Sequence, residues 1–228
     1  MTYLKKNNWN FEISMDNYYN EGAPGFVEPP QAPVEQTNTR DLDRTFAPYK
    51  SAEGDVMGPE QIERFCADLG IDVMDPVILV IAKYFRAENM EGFKKQEFLQ
   101  GMTAMGVDTI AKLRAKVPQL RNELKDARAF KEVYLFVFGF SRDANSRNVS
   151  LESAIGLWRL LLLPKYPMTA DWIRFLEARE KKHDISRDTW NMVLDFFDMT
   201  KTRGVADYQD DGAWPVIVDE FVEFMRSH

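Results

Sequence analysis

From about residue 39 onward, large apolar side chains recur at intervals of three and four, the spacing that lines one face of a helix. The clearest run follows Asp108, read as an N-cap: Ile110, Leu113, Val117, Leu120 and Leu124 share a face, and Pro118 marks either a bend or a boundary. Further helices are predicted near 40–47, 59–69, 75–87, 94–105, 127–141, 150–162, 169–182, 187–198 and 215–226. No stretch alternates polar and apolar for long enough to claim a sheet, so the predicted fold class is all-α.

These helices pair across short loops, each with an apolar residue near its middle: Met57, Phe93 and Val149. Helix, loop of about a dozen residues, helix is the plan of an EF-hand. The metal ligands are what is missing. Placing Met57 at loop position eight puts Lys50, Ala52 and Gly54 where oxygen ligands belong. The same register gives Arg86, Glu88 and Met90 around Phe93, and Arg142, Ala144 and Ser146 around Val149. A cation cannot coordinate a hard metal. The expectation is a helical domain built from EF-hand-like pairs that lack metal ligands, with hydrophobic junctions in the loops and no cofactor.

Before this domain, residues 3–20 place Trp9, Ile13, Tyr18 and Tyr19 among polar positions, with Asn8 or Asn10 available to cap a short helix. Residues 21–38 hold Gly22, Pro24, Gly25, Pro29, Pro30 and Pro33 with few large side chains, the composition of an extended linker. The compact domain is therefore predicted over 39–228.

Composition narrows the function classes. A chain of 228 residues, 45% hydrophobic, buries one sizeable core with something small left over. Its formal charge of −7 argues against nucleic acid or an anionic membrane and favours a basic protein partner. One cysteine, Cys66, with only His183 and His228, excludes a disulfide framework and a zinc module, which needs about four such ligands. Cys66 shares a helix face with Ile62, Phe65 and Leu69, so its thiol is expected to be buried rather than reactive. The N-terminus lacks the apolar run of a secretory signal, and the run from Val77 to Ala82 is far short of the roughly 20 residues that span a bilayer. The expectation is a soluble monomer of the cytoplasm, the nucleus or both.

Two helix starts carry acids. In Asp210-Asp211-Gly212-Ala213-Trp214-Pro215, Gly212 permits an unusual backbone angle and Pro215 suits a first turn, which sets Asp219 about one turn into the last helix. In Ile185-Ser186-Arg187-Asp188, Ser186 is an N-cap and Asp188 follows in the first turn. Carboxylates are stabilised at such positions by free amides and the macrodipole. On its own that pattern means capping.

Taken together, Asp188-Thr189-Trp190-Asn191, Asp211-Gly212-Ala213-Trp214-Pro215-Val216 and Asp219-Glu220-Phe221-Val222-Glu223-Phe224 resemble the potentiating-neddylation domain of the defective-in-cullin-neddylation family. The resemblance continues upstream through Gln61-Ile62-Glu63-Arg64-Phe65-Cys66-Ala67-Asp68-Leu69, Phe85-Arg86-Ala87, Gln96-Glu97-Phe98, Gly101-Met102-Thr103 and Ala154-Ile155-Gly156-Leu157-Trp158. It covers about 39–226.

What it implies is a scaffold-type co-ligase without catalytic residues, holding a neddylation conjugating enzyme beside a cullin. The family's cullin-binding patch matches Asp188, Ala213 and Asp219, with Asp211 and Glu220 as further candidates for the cullin's winged-helix subdomain. The family's pocket for the acetylated N-terminus of the conjugating enzyme matches Ile62, Ile78, Ile81, Ala82, Phe85, Phe93, Phe140, Leu157 and Leu160. At its rim this chain departs from the common pattern, with Leu157 where relatives often have tyrosine, and Met90-Glu91 in place of frequent hydrogen-bonding residues. Leu4, Asn7, Trp9 and Tyr18-Tyr19 resemble the last helix of a ubiquitin-associated domain; with fewer than 20 residues, no independent ubiquitin-binding module is expected. Two rivals stand beside this reading. One is an EF-hand-like calcium-responsive adaptor. The other is an enzyme using carboxylates such as Asp210 and Asp211, for which the sequence offers no nucleophile with a matching base.

Overall fold

The computed structural model describes residues 37–227 apart from Glu53, Arg203, Asp210, Asp211, Ala213 and the side chain of Asp207. The proposed remnant helix at 3–20 and most of the linker lie outside the described residues. Among the described residues the chain runs through ten α-helices. They are α1 (Thr39–Phe46), α2 (Pro59–Leu69), α3 (Val77–Phe85), α4 (Lys95–Ala104), α5 (Ile110–Glu123), α6 (Ala127–Phe140), α7 (Leu151–Leu161), α8 (Thr169–Ala178), α9 (Arg187–Thr200) and α10 (Val216–Ser227). The all-α class holds, and every helix predicted from residue 39 onward is present.

Two expectations need correction. The N-cap of α5 is Thr109, whose hydroxyl accepts from the Lys112 amide at 3.3 Å. Asp108 instead forms an ion pair with Lys112 at 3.1 Å, which holds its carboxyl below the usual range, and its carbonyl accepts from the Thr45 hydroxyl at 2.8 Å. Pro118 lies inside this helix. The helix predicted over 169–182 ends at Ala178, and Arg179 turns extended with φ −66° and ψ 137°. The charged run Arg179 to Asp184 has no apolar face to bury, and the chain must leave the helix to bring Ile185 alongside Val149.

The loop centres meet in pairs. Short strands β1 (Val56–Met57) and β2 (Phe93–Lys94) run antiparallel with Met57 opposite Phe93. Val149 and Ile185 exchange both backbone hydrogen bonds, at 3.0 and 2.7 Å. The buried carboxylate of Glu97, in the first turn of α4, accepts from the amides of Glu88 at 3.0 Å and Lys94 at 2.8 Å ahead of the helix. A carboxylate bonded to two amides of the preceding loop closes that loop.

Close packing sets the rest. A Cβ placed on Gly101 in α4 would stand 2.7 Å from the Phe85 Cα in α3, so the two helices touch at backbone distance. Phe65, Phe85 and Phe98 fill the space beside them, with ring centroids 5.4 to 6.3 Å apart. Cys66 is 1% exposed, and burial, with Asp72 and Asp75 nearby, pushes its thiol up to about 11, as befits an inert core thiol.

Further along the chain, Tyr134 of α6 joins three helices. Its hydroxyl donates to the Trp190 carbonyl at 2.7 Å and accepts from the Trp158 indole at 2.9 Å; the Trp190 indole donates to the Tyr134 carbonyl at 3.0 Å. The Trp190 ring stacks between Tyr134 at 4.6 Å and Trp158 at 5.3 Å. Trp158 meets Trp172 edge-on at 5.6 Å, and Trp172 meets Phe221 of α10 at 5.1 Å.

Substitution of Tyr134→Phe leaves a buried indole donor without its acceptor and is expected to cost about 1–3 kcal/mol, read as a lower denaturant midpoint at unchanged slope. Gly101→Ala, an ordinary helix-stabilising change elsewhere, is expected here to destabilise by about 1–3 kcal/mol through overpacking. A neutral or stabilising result in the same titration contradicts the close crossing of α3 and α4.

Candidate functional site

The start of α9 is fixed by Ser186, whose hydroxyl accepts from the Thr189 amide at 3.1 Å. Asp188 sits in this first turn and is exposed. The start of α10 is prepared by Gly212, with φ 74°, a left-handed value that any side chain would disfavour. Pro215 precedes the helix rather than beginning it, and its carbonyl accepts from the Val218 amide at 2.7 Å. Asp219 follows in the first turn.

The two starts are held together by aromatic side chains. Trp214 meets Phe196 of α9 edge-on at 5.6 Å. Tyr208 packs on the same Phe196 ring at 6.3 Å, and its hydroxyl donates to the half-buried Asp219 carboxylate. As a result, Thr189 and the segment Pro215 to Ile217 line one cavity of about 280 Å³. Those residues are chain neighbours of Asp188 and Asp219. Glu220 is differently placed, ion-paired to Arg179 at 2.7 Å. Asp211 and Ala213 lie outside the described residues.

Sequence reading passed over Tyr208 and Arg179, both of which set the electrostatics here. Arg179 carried a signal of sorts, as the first residue of a charged run at the end of a periodic segment. Tyr208 carried none, because the short 3₁₀ turn at Gly204–Asp207 that positions it has no apolar period.

The nine candidate pocket residues come from five elements: Ile62 on α2, Ile78, Ile81, Ala82 and Phe85 on α3, Phe93 on β2, Phe140 at the end of α6, and Leu157 and Leu160 on α7. Ile81, Ala82, Phe85, Phe93, Phe140 and Leu157 are buried; Ile62, Ile78 and Leu160 are partly buried against the core. The structure brings Phe85 and Phe93 into edge-on contact at 5.1 Å, while Phe140 stacks on Phe136 at 5.4 Å. Leu160 also borders a cavity of about 330 Å³ with Phe130 and Pro76. Met90 stands 53% exposed just before β2.

Chemistry of the loops is that of hydrogen bonds and ion pairs. Lys50 pairs with Asp55 at 2.7 Å, and Lys94 pairs with Glu88. Among the described residues no group of three or more His, Cys, Asp or Glu is placed to hold a metal ion. Nor is any helix there long and apolar enough to cross a membrane.

A family model described as "Cullin binding" matches residues 112–224, a stretch that includes both helix starts. Defective in cullin neddylation protein 1 of Caenorhabditis elegans is 34% identical over 249 residues, covering 100% of this chain and 84% of the worm protein. DCN1-like protein 5 of Homo sapiens is 37% identical over 172 residues, covering 75% of this chain and 72% of its own length. DCN1-like protein 4 of Homo sapiens is 40% identical over 173 residues, 76% of this chain and 59% of that protein. With identity of this level running across the whole described fold, the chain belongs to the defective-in-cullin-neddylation, DCN1-like, family.

Proposed function

We propose that this protein promotes cullin neddylation as a scaffold, binding a cullin at the two helix starts and a conjugating enzyme at the apolar set around α3. A role in cullin neddylation through cullin binding follows from family membership and from the cullin-binding model over 112–224. The finer reading assigns the cullin's winged-helix subdomain to Asp188 and Asp219, with Ala213, Asp211 and Glu220 beside them. What supports it is that Asp188 and Asp219 each stand in the first turn of a helix, and that Thr189 beside the one and Val216 and Ile217 ahead of the other line one cavity. Asp188 is exposed and without a partner among the described residues. A lysine or arginine of the partner supplies one.

The second contact is the acetylated N-terminus of the conjugating enzyme, taken by Ile62, Ile78, Leu160 and their buried neighbours. An uncapped ammonium entering an apolar site loses its hydration at a cost of several kcal/mol; acetylation removes the charge. With both partners held, the modifier's thioester and the acceptor lysine meet in a restricted geometry, and proximity with orientation contributes several kcal/mol without a catalytic side chain. The chemistry then belongs to the conjugating enzyme. The calcium-responsive alternative fares worse, since Lys50 and Arg86 occupy positions that need oxygen ligands and Glu97 is committed to backbone amides.

In a reconstituted neddylation reaction, Asp188→Ala and Asp219→Asn are each expected to reduce stimulation by up to about fivefold, the range of an exposed charge pair. The asparagine keeps an acceptor for Tyr208, so a loss there reports charge rather than folding. Full stimulation by both variants removes the acidic patch from the account. A titration with conjugating-enzyme peptides is expected to favour the acetylated form by at least about tenfold, or 1.4 kcal/mol; equal affinities would sink the apolar site.

A further inference from the structure

The loop between α3 and α4 opens in an unfavourable conformation. Arg86 has φ 53°, and it is the one non-glycine residue with a positive φ among those described, a conformation held only where the surroundings impose it. Two residues on, the Glu88 amide donates to one oxygen of Glu97, and at the far end of the loop the Lys94 amide donates to the other. Counted from Arg86 as the first loop position, Glu97 is the twelfth, where the glutamate of an EF-hand grips its ion with both oxygens. Here both oxygens are taken by backbone. A helix-capping glutamate alone needs only the amide three residues back, at Lys94; the bond to Glu88, nine residues back, ties the loop as well as the helix.

Between the two bridged amides lie Asn89 to Phe93. The Asn89 side chain accepts from the Glu91 amide at 2.9 Å, and Gly92 is pressed against β1, where a Cβ would stand 2.5 Å from the Met57 carbonyl oxygen. Phe93 then reaches the core, opposite Met57 and edge-on to Phe85. The same segment is a wall: Asn89, Glu91, Gly92 and Lys94 line, with Gln61 of α2, a cavity of about 810 Å³. Gln61 precedes Ile62 and Gly92 precedes Phe93, so the cavity opens beside two of the candidate pocket residues.

We infer that Glu97 is a positioning residue for the conjugating-enzyme contact: by holding both ends of the 88–94 segment, it sets the wall beside which the bound N-terminus lies. The inference rests on the apolar-site reading above and adds to it a residue that acts only through the loop. Without the bridge, two amides lose their acceptor in a loop where Arg86 already holds an unfavourable backbone angle, and the segment samples other conformations. Binding must then order the segment as well as bury the ligand, and affinity falls although every apolar contact residue is unchanged.

Calorimetric titration of the acetylated conjugating-enzyme peptide into the full chain tests this, with Glu97→Gln and Glu97→Ala beside the wild type. Glu97→Ala is expected to weaken binding about tenfold, and Glu97→Gln about threefold, because glutamine keeps one acceptor and turns a donor toward the other amide. Amide hydrogen exchange followed by NMR is expected to show lost protection at Glu88 and Lys94 in the same order, with the Trp190 amide, bonded to the Ser186 carbonyl, as protected as before. Should Glu97→Ala not fold, Glu97→Gln decides on the same two readouts. Wild-type affinity in a variant whose Glu88 and Lys94 amides exchange faster overturns the positioning role and leaves the apolar site standing. Protection lost at Trp190 as well reduces Glu97 to general stability and overturns it too. A wild type that binds acetylated and free peptides equally removes the apolar site, and the role of Glu97 with it.

Discussion

Everything at the proposed interface depends on one stack of aromatic rings. Trp190 lies between Tyr134 and Trp158; the Tyr134 hydroxyl accepts from the Trp158 indole and donates to the Trp190 carbonyl, the Trp190 indole donates to the Tyr134 carbonyl, and three helices are closed on each other. Trp190 is only two residues beyond Asp188, so the orientation of that carboxylate is inherited from a fully buried indole. From Trp158 the contact passes through Trp172 to Phe221, two residues beyond Asp219. Both acidic positions thus hang from the same rigid network, and a large aromatic core carries no conformational slack.

Seen this way, the protein's acidity is divided by use. Many carboxylates are committed internally: Glu97 to loop amides, Asp68 to the Tyr49 hydroxyl at 2.6 Å, Asp198 to Tyr166 at 2.5 Å, Glu220 to Arg179. Net charge alone says nothing about where a basic partner docks. What distinguishes Asp188 is its place at a capped helix start, exposed and uncommitted, beside a cavity. The proposed cullin contact at Asp188 uses an acid that the fold leaves uncommitted.

Much of this was legible in the chain. Periodicity located every helix of the described residues, α2 with both boundaries, because each buries one continuous face and that face repeats in the sequence. The loop-centre residues Met57, Phe93 and Val149 proved to be the points where loops pair, with Ile185 as the unforeseen fourth. Position 185 was hidden by the overlong reading of the preceding helix: charged residues favour a helix locally, and only tertiary pairing with Val149 shows why it stops at Ala178. The choice of Thr109 over Asp108 as cap was equally invisible, since both side chains can cap and only Lys112 and Thr45 decide between them. At the site, the first-turn acids could be read from helix-start signals. The cavity shared by Thr189 and Val216 could not, because it requires Trp214 and Tyr208 to reach Phe196 across the fold.

Glu97 has a consequence for how its neighbouring loop keeps its shape. Its two oxygens tie down amides on either side of the loop ahead of α4, the place where a sensor of this helix–loop–helix shape would hold an ion. A built-in anion cannot dissociate, so the loop's geometry is set once, at folding. The loop and the surface beside it, where Met90 stands 53% exposed, therefore owe their shape to the covalent chain and not to a dissociable ligand.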